Sequence, residues 1–156
     1  MIAAARLALL LAAGAALAGP AIAAVSGVMP GVEKPDRARQ NWMLKCQGCH
    51  RADASGTPAT TPAMAGLVAE FLTVPDGRAY LAQVPGVATA ALPDDQLAEL
   101  LNWTLYRFDA GHVPADFKPY TTNEIGQLRH KPLRTEAAQV RARIIADIRS
   151  AGVTTP

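Results

Sequence analysis

The chain has 156 residues, with 15 Lys or Arg against 13 Asp or Glu and a formal net charge of +2. That length supports one domain with a modest core, and so small a charge excess argues against nucleic-acid binding, which needs a more strongly basic domain. Only 5% of the residues are aromatic, so a core of this size gains from a bulky apolar cofactor.

The first residues bear on compartment. Arg6 precedes an unbroken apolar run of Leu, Ala and Gly over residues 7–18, and Ala21-Ile22-Ala23 then fits a small-x-small cleavage site. Twelve residues are too few for a spanning helix, which needs roughly 17 to 25. The expectation is a signal peptide over residues 1–23 and an exported, periplasmic protein with no transmembrane segment after cleavage; a retained anchor is the alternative. From residue 24 to 128 there are 8 basic and 11 acidic side chains, a net of −3, and from 129 onward 6 and 2, a net of +4. A mildly acidic domain carries a basic tail.

Residues 24–33 read as a loop, with Gly27, Pro30 and Gly31. Pro35 and Asp36 suit the first turn of a helix running to about residue 46, with Ala38, Trp42 and Lys45 along one side and Met43 in the core. Residues 51–62 are rich in Gly, Thr, Ser and Pro and read as a loop. Weak helical pattern follows over 64–72 and again over 76–83, and Val84-Pro85-Gly86 breaks it. The strongest helix is expected at 94–108, where Leu97, Leu100, Leu101, Thr104 and Phe108 share a face and Asp94 and Asp95 favour the N-terminus. Thr121 to Glu124 matches a capping box for a short helix. A last helix is expected over 135–150, with Ala137, Val140, Ile144 and Ile148 as its apolar stripe. No segment alternates with period two, so the predicted fold class is all-α.

Cys46-Gln47-Gly48-Cys49-His50 is the one C-x-x-C-H in the chain and uses both cysteines. Two thiols three positions apart on a helical turn share a side, where each can form a thioether to a haem vinyl group. The adjacent imidazole is then carried to the iron as an axial ligand. A redox C-x-x-C would normally accompany a βαβ pattern, which is missing. A structural disulfide competes on cysteine count alone. A zinc site would need more ligands than His112 and His130 supply. No phosphate loop, nucleophile elbow or histidine–carboxylate cluster stands elsewhere, so no catalytic residue is assigned.

On these residues, 34–108 resemble a class I c-type (monohaem) cytochrome. A helix leads into C-x-x-C-H, Pro62-Ala63-Met64-Ala65-Gly66 resembles the Pro-x-Leu-x-Gly element of that family, and residues 92–103 resemble its closing helix. The resemblance implies a cytochrome c-like domain at 34–108 around one covalent haem c bound by Cys46, Cys49 and His50. It also implies crossing first and last helices, and a Pro62 carbonyl that accepts the His50 ring N–H. Residues 109–156 fall outside it as a helical C-terminal extension.

Many relatives supply the second axial ligand from a Met-Pro step; here Val84-Pro85 stands in its place, and valine cannot ligate iron. The distal position is therefore open to three readings: an open or weakly ligated site walled by Val84 or Val87, then Met64, then His112. Against Met64 stands the core-leucine slot that it fills in the resemblance. The expected function is single-electron transfer through Fe(III)/Fe(II) rather than enzymatic turnover. Its expected partners are redox proteins, a periplasmic dehydrogenase or terminal oxidase. The alternatives are a haem subunit of an oxidoreductase complex, docked through 109–156, and an open-site haem that binds small ligands or peroxide.

Overall fold

The computed structural model describes residues 27–152; the expected signal peptide lies outside them. Helix α1 spans Pro35–Lys45, with Pro35 in its first turn and no side-chain cap of its own. The cap comes from far along the chain. The buried Glu99 carboxylate accepts the main-chain N–H groups of Glu33 and Lys34 at 3.0 and 2.7 Å, and Arg37 Nε donates to it at 2.7 Å. An anion there satisfies free N–H groups and complements the helix dipole. The helix buries Ala38, Asn41 and Trp42. Met43, expected in the core, is instead 42% exposed, because the buried stripe of Ala38, Asn41 and Trp42 ends one position before it. A single turn, α2 (Gln47–His50), follows.

Residues 64–72 were expected to be helical, but they form a series of turns ending in a 3-10 turn at Glu70–Thr73. Long-range bonds hold that path: Gly66 N–H reaches the Phe108 carbonyl at 3.0 Å, and Ala69 N–H reaches Asp109 Oδ2 at 2.7 Å. Helix α3 spans Gly77–Gln83 and α4 spans Pro85–Ala88. The expected break falls at Val84, and Pro85 starts the next helical turn, since the first position of a helix needs no N–H.

Helix α5 (Asp94–Asp109) buries Leu97, Leu100, Trp103 and Leu105 and crosses α1. Trp42 joins the two, with its ring 4.6 Å from Phe108 and 6.2 Å from Trp103. Helix α6 (Thr122–Arg129) packs on α5 and carries the expected Thr121 cap, whose hydroxyl accepts Glu124 N–H at 3.2 Å. The reciprocal bond of a capping box is replaced, because the Glu124 carboxylate takes Arg78 at 2.6 and 2.7 Å. Helix α7 (Ala137–Ser150) buries Ile144, Ile145 and Ile148 in a second apolar cluster with Phe71 and Tyr80. The described residues contain no strand, only an isolated bridge between Thr57 and Thr61, and no helix long and apolar enough to cross a membrane.

Candidate haem site

Between α1, α5, the 51–69 loop and α7 lies a cavity of about 950 Å³, at the upper end of the roughly 300–1,000 Å³ that ligand sites occupy. Its walls are largely apolar, from Val68, Phe71, Leu97 and Leu100 among others, and Cys46, Cys49 and His50 stand along it. Cys46 and Cys49 are not bridged to each other. Burial pushes the Cys46 thiol up to about 11, with the neighbouring Cys49 adding to the shift.

The loop after the motif holds His50 in place. Gly56 N–H bonds the His50 carbonyl at 3.0 Å and Thr57 Oγ1 donates to the Cys49 carbonyl at 2.9 Å. Gly56 sits at φ +74°, and a Cβ there would lie 2.4 Å from the Thr61 carbonyl oxygen, so no other residue fits. Arg51, Ala54 and Ala59 also have positive φ. Such backbone costs on the order of 1–3 kcal/mol per residue and gathers at functional sites.

Burial lowers the pKa of His50, and the Pro62 carbonyl beside the ring opposes that shift, although Nδ1 itself falls outside hydrogen-bonding geometry. A lowered pKa keeps the ring neutral, the form that ligates metal. Trp42 Nε1 is a second buried nitrogen on the wall with no partner. The charges are one-sided: Lys45, Arg51 and Arg141 line the cavity, and no Asp or Glu does. A large apolar group bearing carboxylates and a ligand-seeking metal fits this lining, and haem has those properties.

The structure brings Cys46, Cys49, His50 and Met64 to one cavity, together with Val84 and Val87. Met64 is half-buried, and its N–H bonds the Ala54 carbonyl at 2.9 Å, which ties it to the loop following His50. His112 is not on the cavity wall. Its Nδ1 meets Asp109 Oδ1 at 2.5 Å and its Nε2 lies 3.6 Å from buried Glu70. Sequence reasoning missed Arg141, which lines the cavity from α7; the only signal was its place beside an apolar stripe.

These features define a helical domain built around an apolar cavity that fits a haem. The chain is 32% identical over 107 residues to cytochrome c-552 of Thermus thermophilus, a match covering 57% of this chain and 82% of the relative. Cytochrome c-552 from a named strain of the same organism matches equally, over 72% of its length. No family model and no solved structure matches the chain. The chain belongs to the class I monohaem c-type cytochromes. It is an electron-transfer protein with one covalent haem c, and it exchanges electrons with redox partners.

Proposed function

We propose that the haem is attached through Cys46 and Cys49, that His50 is an axial ligand of its iron, and that the protein works as an exported, periplasmic single-electron carrier. The observation that carries this reading is the placement of the chain's only C-x-x-C-H on an apolar cavity charged solely by cations. When bound there, haem supplies the Fe(III)/Fe(II) couple. The residues supply attachment, a neutral imidazole and a wall that excludes water.

The distal side is read as open or weakly ligated. Val84 and Val87 line the cavity and offer no donor atom. The anchoring of Met64 to Ala54 supports a packing role on the His50 side, and Asp109 holds the His112 ring off the cavity wall. Carbon monoxide added to the reduced protein tests this: rapid, tight binding is expected, and absence of binding refutes it. A far-red methionine–iron band that vanishes in Met64→Ala would assign the site to Met64.

The partner is read as a periplasmic dehydrogenase or terminal oxidase. Exposed Arg149 on α7, with Lys131 and Arg134 before it, gives the tail a positive face suited to steering an acidic partner. The rate of electron exchange with such a partner should fall steeply as salt is raised, and a salt-independent rate would refute steering through this face.

A further inference from the structure

Of the three cations on the cavity wall, Lys45 and Arg51 directly flank the Cys46–His50 attachment segment and are exposed. Arg141 differs in both respects. It is half-buried and comes from α7, in the part of the chain beyond the cytochrome-like 34–108. Helix α7 packs on the Glu70–Thr73 turn and on α3, elements separate from the Cys46–His50 segment. The Arg141 guanidinium carbon lies 5.9 Å from the Phe71 ring centroid, and Tyr80 shares the same wall.

Arg37, Arg78, Arg129 and Arg143 each pair with a carboxylate. Among the described residues Arg141 has no such pair. The ring faces attract the guanidinium but leave its charge without an anion, and the cavity that it faces contains no Asp or Glu to supply one. A porphyrin tethered by its vinyl edge turns its propionate edge away from the tether, and α7 offers the cation on a wall outside the attachment segment.

We propose that Arg141 is the counter-ion of a haem propionate, which makes the C-terminal extension part of the cofactor site rather than an appendage to it. The inference rests on haem attachment at Cys46 and Cys49. Arg141 acts by charge and orientation: a guanidinium pairs bidentately with a carboxylate and cancels its negative charge beside the iron. Without that cation, the ionised propionate favours the ferric state.

The test uses the holo-protein purified with its haem, compared as wild type, Arg141→Gln, Arg141→Lys and Arg143→Gln. Covalent haem is confirmed first by mass, so that failure of attachment counts against the Cys46/Cys49 reading and not against Arg141. The expected result is a lower midpoint potential in Arg141→Gln, largely restored in Arg141→Lys, and no change in Arg143→Gln, which removes an exposed charge two positions away. The propionate bending band in the resonance Raman spectrum should shift in Arg141→Gln. If that variant does not mature, a shifted band in Arg141→Lys carries the same support. Potential and band both unchanged in every Arg141 variant that matures would overturn the proposal. So would a potential that responds to added phosphate while the band stays fixed, because Arg141 would then be serving a free anion.

Discussion

Asn102 and Tyr120 hold each other through a reciprocal pair of hydrogen bonds. Asn102 Oδ1 accepts Tyr120 N–H at 2.8 Å, and Asn102 Nδ2 donates to the Tyr120 carbonyl at 3.1 Å. The same Nδ2 donates to the Gly31 carbonyl at 3.1 Å. One buried amide on α5 thus joins the segment before α1 to the segment before α6. Gly31 permits the approach, since a Cβ on it would lie 2.4 Å from Nδ2.

Asn102→Ala removes all three bonds and leaves their main-chain partners unmatched. Each buried group so orphaned costs about 1–3 kcal/mol, so a loss of about 2–4 kcal/mol is expected in denaturant unfolding. Limited proteolysis should then cut first in the 113–121 region. A loss under about 1 kcal/mol would show that water replaces the amide at little cost.

Arg129 closes α6 onto the loop before α5. Its guanidinium donates to the carbonyls of Ala88, Ala90 and Leu92, and pairs with Asp94 at 2.9 Å. Arg129→Lys keeps the charge but cannot reach four acceptors, and a fall of about 1–3 kcal/mol is expected. The measurement is the shift in thermal midpoint, with Lys131→Ala as an exposed neighbour that should leave it unchanged.

Glu70 is fully buried with both carboxylate oxygens lacking hydrogen bonds. Burial raises its pKa above the usual 4.5; nearby His112 opposes the shift and Asp109 adds to it. Because the folded state holds this proton more tightly than the unfolded state, Glu70 favours folding most at low pH. That contribution declines as pH rises through the folded-state pKa. Glu70→Gln is therefore expected to gain stability relative to wild type as pH is raised from about 4 to 7. A stability difference that does not change with pH would contradict the assignment.

Leu100 is 2% exposed and lines the cavity. Leu100→Ala is expected to cost about 2–5 kcal/mol, read by denaturation of the holo-protein. Leu101 is only half-buried, so Leu101→Ala should cost less, and the reverse order would mean the α5 face is misassigned.

The helices with local signals were readable from sequence. Pro35 and Asp36 mark the start of α1, the leucine spacing marks α5, and Thr121 with Glu124 marks α6. The last helix was also readable, although it begins at Ala137 and not at Thr135. What failed to read depends on distant partners. The path of 64–69 is dictated by Phe108 and Asp109, some 40 residues away. Arg129 finds its acceptors across the fold, and Arg141 reaches the cavity only because α7 docks on α3. For the site, the C-x-x-C-H motif carries its own chemistry in five residues, whereas a distal ligand can come from anywhere that packing allows.

The central claim is covalent attachment of one haem through Cys46 and Cys49, and intact mass of the denatured protein tests it most directly. Wild type is expected to carry the mass of one haem that survives denaturation, with the alkaline pyridine spectrum of two thioether links. Cys46→Ala and Cys49→Ala should each lose that spectrum, and the double variant should lose the added mass. A denatured wild-type chain at its bare polypeptide mass, less two hydrogens for a Cys46–Cys49 disulfide, would contradict the account.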